Sequence, residues 1–287
     1  MRLKAECLQE TGSFKVRGAA NALLARDPEE VAGGVVAVSS GNHGRAVAHV
    51  SRLLGIQATV CVSARVPPHK VEAMEGLGAK VLVAGPDLEN ADAAARRLVD
   101  ERGLTFIHPF DDPAIIAGQG TIGLEIVEAF PECRQVVVPM SGGGLIAGIA
   151  IAMKARIEGL RVVAVSQERG PAMHRSLDAG ALVEVVEEDT LADALAGGLG
   201  PENRHTFELC RDLVDERVLV TEAEIAEGMA FLHAEHGWQV EGGGAVGVAA
   251  VLAGKVVVEG PAAVVVSGGN VGEKMFRRAL EAAARRG

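Results

Sequence analysis

The sequence predicts an α/β protein of two domains, each an open, mostly parallel sheet with helices on both faces. Three observations lead there. Short runs of β-branched, doubly apolar residues alternate with helix-length segments, the pattern of parallel strands covered on both sides. Several of those runs end in loops of glycine and small polar residues that open the next helix. One stretch, His108-Pro109-Phe110-Asp111-Asp112-Pro113, breaks the alternation and marks a boundary between units.

In chain order, Arg2 to Leu8 alternates weakly and reads as a strand entering the turn Thr11-Gly12-Ser13-Phe14-Lys15, after which a helix runs to about Ala25. Val35–Ser39 is a buried strand ending in Ser40-Gly41-Asn42-His43-Gly44, with a helix from about Arg45 to Leu54. Strand Ala58–Val62, a helix from Val66 to Leu77, strand Lys80–Val83, helix Glu89–Glu101 and strand Thr105–Ile107 follow. Beyond the boundary come helix Gly118–Ala129, strand Gln135–Pro139, the loop Ser141–Leu145 and a long helix to Ile157. Strand Arg161–Val165 leads into a mixed region up to Gly198. Helices near Arg204–Leu213 and Glu222–Glu235 bracket strand Arg217–Val220. Glu241-Gly242-Gly243-Gly244 opens an apolar helix to Leu252, and strand Ala262–Val266 ends in Ser267-Gly268-Gly269-Asn270 before a closing amphipathic helix. Residues 34–114 are thus expected to form a small unit, and residues 1–33 with 115–287 a larger one.

Composition narrows the function. With 48 % hydrophobic residues a sizeable core is available. A net charge of −10, no Lys/Arg cluster and only 3 % aromatics argue against nucleic acid. The first residues are not a signal peptide, and the longest apolar stretch, Ala245 to Gly254, is too short for a membrane span. Cys7, Cys61, Cys133 and Cys210 are scattered, the usage of reduced thiols in a cytoplasmic protein.

Chemistry gathers at four places. Lys15 sits between a Gly-Ser turn, where Gly12 can take an unusual φ and Ser13 can cap, and the start of an apolar helix. Backbone N–H groups at a helix start disfavour the ammonium form, and an amine made less basic serves as nucleophile or base. Ser40–Gly44, Ser141–Leu145 and Ser267–Asn270 each follow an apolar strand, where open parallel sheets bind ligands. The triple glycine suits a phosphate, because the backbone can approach closely and helix-start N–H groups point at the anion. Gly142–Ala147 also fits a dinucleotide G-x-G-x-x-A, with Glu168 after the next strand, but that reading leaves Lys15 and the Ser40 and Ser267 loops without work. A small phosphorylated aldehyde cofactor, pyridoxal 5'-phosphate, employs all four. His233 and His236, three apart on a helix, lack a third metal ligand in register and read as a surface pair, and Asp111-Asp112 reads as a solvated turn.

These residues carry a family resemblance. K-x-E-x-x-Q-x-T-G-S-F-K-x-R-G-A at Lys4–Ala19 resembles the cofactor-lysine signature of fold-type II (tryptophan synthase beta-like) pyridoxal-phosphate enzymes, the threonine/serine dehydratase and serine racemase group. Ser39–Gly44, Ala117–Ile122 (A-G-Q-G-T-I), Ser141–Leu145 and Ser267–Asn270 follow in that family's order, so the likeness spans essentially the whole chain. The stretch Ser166–His174, with Gly197–Gly200 and Asn203-Arg204, is most similar to dehydratases assigned to hydroxyectoine utilisation.

The resemblance implies that Lys15 holds the cofactor covalently and, once released, acts as base at the substrate Cα. It implies that the backbone of Ser40, Gly41, Asn42 and His43 takes the substrate carboxylate, with Asn42 also bonding the cofactor's phenolic oxygen. Gly142, Gly143, Gly144 and Leu145 are expected to hold the phosphate, and Ser267 to face the pyridine nitrogen. A neutral hydroxyl there leaves the ring a weaker electron sink than an aspartate does, which favours prompt loss of a β-hydroxyl. The implied activity is a cytoplasmic ammonia-lyase, a dehydratase, acting on a β-hydroxy amino acid of the threonine/serine type or one derived from hydroxyectoine, in a homodimer. Racemisation, with Ser40 as the opposite-face acid, is one alternative. A truncated, inactive ligand-binding relative is another, since the segment the family places before the lysine turn is expected to be missing. No effector domain is expected after the last helix. No metal is expected: Glu168 and Ala172 fit the racemases' ligand set, but His174 stands where an aspartate is required.

Overall fold

In the computed structural model, which describes residues 1–200 and 202–285, every strand pairs in parallel. Two compact units form: Met1–Phe14 with Gln119–Gly287, and Lys15–Gly118. The large unit expected from the sequence includes positions 201, 286 and 287, which lie outside the described residues. The division sets residues 15–33 with the smaller unit. The reason is packing: Ala19, Ala22 and Leu23 share a core with Val47 and Val50.

The smaller unit contains α1 (Lys15–Leu24), α2 (Pro28–Val31), β2 (Val35–Val38), α3 (Asn42–Leu54), β3 (Ala58–Val62), α4 (Pro68–Gly76), β4 (Lys80–Val83), α5 (Leu88–Arg102) and β5 (Thr105–Phe106). Its strand order is β4-β3-β2-β5. Period-two alternation decides which face each residue covers: Val35, Ala37, Val60 and Val62 join one core, while Val36 and Cys61 join another across the sheet. At its far end Asp112 accepts the N–H groups of Ala114 (2.7 Å) and Ile115 (3.1 Å) and pairs with Arg26, so it caps a helix start rather than forming a solvated turn.

The larger unit holds β1 (Arg2–Ala5), β6 (Gln135–Pro139), α7 (Gly144–Lys154), β7 (Arg161–Gln167), α8 (Ala172–Ala179), α9 (Thr206–Leu213), β8 (Glu216–Val220), α10 (Glu222–His236), α11 (Gly242–Leu252), β9 (Ala262–Val266) and α12 (Glu273–Ala284). Helix α6 (Pro113–Ala129) starts five residues before its expected first residue, because the Asp112 cap nucleates it early. The sheet order is β1-β9-β6-β7-β8. Val137, Val163, Val165, Val264 and Val266 face one core; Val136, Val138, Val162, Ala164 and Val265 face the other. Strand β1 stops at Ala5, short of the expected Leu8, and Glu6–Leu8 is a 3₁₀ turn. Glu6 causes the break: its buried carboxylate turns inward to Lys4 Nζ (2.9 Å) and accepts Gln9 Nε2 (3.1 Å).

Candidate active site

In the larger unit the turn before Lys15 is fastened to the loop after β9. Phe14 N–H donates to the Ser267 carbonyl (3.0 Å), Ser13 and Gly268 form an antiparallel bridge, and Gly269 N–H donates to the Gly12 carbonyl (2.8 Å). Asn270 Nδ2 donates to the Thr11 carbonyl (2.7 Å). Gly12 has φ +75°, and a Cβ there would lie 2.4 Å from Asn270 Oδ1, so conformation and space both demand glycine. Among the described residues the buried Ser13 hydroxyl has no hydrogen-bond partner, so it does not cap α1 as expected; the bridge to Gly268 holds the turn instead.

The loop after β6 is an uncapped helix start. Gly143, at φ +90°, is the residue before α7; no side chain caps that helix and no acid stands in its first turn. Its backbone donors are thus suited to an external anion. Behind the loop, a Cβ on Gly143 would meet Cys210 Sγ at 2.8 Å, Met173 Cε at 2.9 Å and Thr206 Cβ at 3.0 Å. Ser141 Oγ donates to the Leu195 carbonyl (2.9 Å) and pins the loop's first residue. At the end of β9, the buried Ser267 hydroxyl donates over a long 3.4 Å to the Gly243 carbonyl. The Gly242–Gly244 run, read from sequence only as a helix start, lets α11 approach this loop: a Cβ on Gly244 would sit 2.3 Å from the Gly268 carbonyl.

In the smaller unit, Lys15 is the first residue of α1, and its half-buried Nζ donates to the Pro109 carbonyl (2.5 Å). The Ser40 loop precedes α3, which begins at Asn42, three residues before its expected start. It too lacks a side-chain cap and a first-turn acid, and the Ser40 side chain is exposed. Gly41 N–H donates to Ser39 Oγ (3.2 Å). His43 is buried, with Nε2 2.9 Å from the Ile107 carbonyl. A carbonyl only accepts, so Nε2 carries the proton and Nδ1, which has no partner among the described residues, keeps its lone pair. Burial first, and the Lys15 charge second, push this imidazole down to about 3, so it is neutral at physiological pH. Its ring therefore buttresses the loop while its backbone lies in the first turn.

Sequence reasoning missed Pro109, Asn270, Cys210, Met173 and Thr206, none of which reacts; they support. Asn270 alone carried a signal, as the last residue of the Ser267 loop motif. Among the described residues no group of three or more His, Cys, Asp or Glu is placed to hold a metal ion.

The larger unit offers an uncapped glycine cradle and a neutral hydroxyl at a strand end, and the smaller unit a half-buried lysine at a helix start, each of a kind that a phosphorylated aldehyde cofactor such as pyridoxal phosphate uses. The family described as pyridoxal-phosphate dependent enzyme matches residues 1–268. The chain is 48 % identical over 285 residues to a putative threonine dehydratase of Sinorhizobium fredii, covering 99 % of this chain and 86 % of that one. It is 43 % identical over 279 residues to an L-threonine ammonia-lyase of Geobacter sulfurreducens, covering 97 % and 69 %. The structure of maize serine racemase superposes with a TM-score of 0.90 at 35 % identity, covering 99 % and 87 %. The chain belongs to the pyridoxal-phosphate-dependent enzyme family, with its α/β fold of type II. It is a pyridoxal-phosphate-dependent lyase similar to threonine dehydratases.

Proposed function

We propose that the protein eliminates the β-hydroxyl of a threonine- or serine-type amino acid, releasing a 2-oxo acid and ammonia. The observation that carries this reading is Ser267, a buried neutral hydroxyl tied to a carbonyl; facing the pyridine nitrogen, as the family resemblance implies, it would not keep that nitrogen protonated as a carboxylate would. Pyridoxal phosphate, when bound, acidifies the substrate Cα–H. In this reading Gly142, Gly143, Gly144 and Leu145 hold its phosphate by backbone N–H groups at the α7 start. Lys15 binds its aldehyde carbon and, when free, takes the Cα proton. The N–H groups of Ser40, Gly41, Asn42 and His43 receive the substrate carboxylate at the α3 start, with the Asn42 amide on the phenolic oxygen. The β-hydroxyl leaves as water, balancing the proton lost from Cα, and hydrolysis of the resulting enamine's imine tautomer consumes one water and frees ammonia.

The exposed Ser40 hydroxyl, together with the likeness to maize serine racemase, favours a second reading in which Ser40 returns a proton to the opposite face of Cα. One assay separates the readings and the substrates. Purified enzyme is given threonine, serine and hydroxyectoine-derived hydroxy amino acids, and ammonia, 2-oxo acid and serine chirality are followed. Elimination predicts ammonia and 2-oxo acid in equal amounts, lost in Lys15→Ala. D-serine formed without 2-oxo acid overturns it. The hydroxyectoine likeness around Ser166–His174 predicts that the hydroxyectoine-derived amino acid is turned over faster than threonine.

A further inference from the structure

Lys15 donates to a backbone carbonyl 94 residues away, and that carbonyl belongs to the boundary stretch that has no assigned role. The turn that carries it has an unusual support. His108 Nδ1 lies 3.2 Å from the Phe110 nitrogen and 2.7 Å from the Asp111 nitrogen, and both are backbone donors. One ring atom thus gathers the two N–H groups that follow Pro109, as an aspartate or asparagine side-chain oxygen does in a turn. The ring is also fixed in direction. Phe106 and Phe110 stand edge-on to it, with centroids 6.1 Å and 4.8 Å away.

We propose that His108 is the positioning residue for the Lys15 amine: by accepting the Phe110 and Asp111 N–H groups at Nδ1, it holds the Pro109 carbonyl that orients Lys15 Nζ. The inference rests on Lys15 being the cofactor lysine. A carbonyl takes one amine proton and thereby sets where the nitrogen lone pair points, toward the cofactor aldehyde or the substrate Cα. When the amine bonds the aldehyde carbon, a carbon–nitrogen double bond replaces carbon–oxygen. The nitrogen gives up its two protons, and the oxygen departs as water.

The arrangement works only with Nδ1 unprotonated, because a protonated Nδ1 cannot accept. Charged and titratable groups face the ring from each element packed on it: Asp111 and Asp112 in its own turn, Asp92 of α5, Lys15 of α1 and His43 of α3. Burial outweighs the three carboxylates and lowers the His108 pKa below its ordinary value. The support is therefore complete at neutral pH and is lost as pH falls through the depressed value.

The test follows cofactor bonding, not turnover. Cofactor-free wild type, His108→Ala, His108→Asn and Lys15→Ala are mixed with pyridoxal phosphate, and the visible band is timed from pH 5 to 8. His108→Ala is expected to bond about tenfold more slowly at pH 7.5, while His108→Asn, which can accept the same N–H groups, stays within about threefold of wild type. The wild-type to His108→Asn rate ratio is expected to fall on the acid side, since asparagine does not titrate and the cofactor's own ionisations are common to both. A flat ratio, or wild-type bonding by His108→Ala, overturns the proposal. Should His108→Ala not fold, the ratio and the nitrogen NMR of His108 in the wild type decide: a proton on Nδ1 at pH 7.5 overturns it. A visible band in Lys15→Ala refutes the assignment of Lys15 itself, a result separate from either His108 outcome.

Discussion

His43 shows how burial sets chemistry at a single residue. Its pKa, down from an ordinary 6.5 to about 3, means the folded state refuses a proton that the unfolded chain accepts. Stability is therefore complete above pH 6.5 and falls as pH drops toward 3, by roughly 3 kcal/mol at pH 4 from this residue alone. Urea midpoints at pH 4 and 7 measure it. His43→Gln, which keeps a donor for the Ile107 carbonyl, is expected to show a shallower acid loss. Burial acts on the thiols in the same direction of neutrality. It raises Cys7 and Cys61 to about 11 and Cys210 to about 12, and Cys133 upward too. All four are buried and free. A thiol reagent at pH 8 is expected to leave them unmodified in the native protein and to label all four in denaturant.

At the scale of elements, helix starts were easier to find than to bound. The sequence placed a helix after each glycine loop, yet α3 and α6 begin earlier than their apolar periodicity does. A helix start is set by where backbone donors find or lack partners, and that information is local geometry rather than hydrophobic pattern. Helix α8 lay hidden in the mixed region, since Pro171 and Gly180 leave it only eight residues of weak signal. The α7 start yields a prediction. Gly143→Ala must accommodate φ +90° and three heavy atoms within 3.0 Å, one of them the buried Cys210 sulfur. Strain and overpacking together are expected to cost about 2–4 kcal/mol. Denaturant titration checks the loss, and phosphate-group affinity, read from cofactor titration, is expected to fall with it.

For the molecule as a whole, two parallel sheets with cores on both faces explain why the strands read as continuous apolar runs. Among the described residues no helix is long and apolar enough to cross a membrane. Cofactor binding is expected to stabilise the fold by mass action, about 2.7 kcal/mol at a hundredfold excess over Kd. Thermal denaturation with and without pyridoxal phosphate tests this. Lys15→Ala should retain only the part due to phosphate binding, and an equal rise in melting temperature in both proteins would argue against a covalent contribution.

The sequence by itself determined the alternation of parallel strands with helices and located the glycine loops and the lysine on which the proposed function rests, because periodicity and glycine placement are read along the chain. Lys4, Glu6 and Gln9 of the lysine signature were legible as a pattern, though not as the buried network that ends β1. Only the tertiary structure decided what holds Lys15. Pro109, 94 positions on, receives its amine, and Asn270, 259 positions from Thr11, fastens its turn. Such pairs depend on strand order, and parallel strands joined by crossovers bring together residues that no local pattern connects.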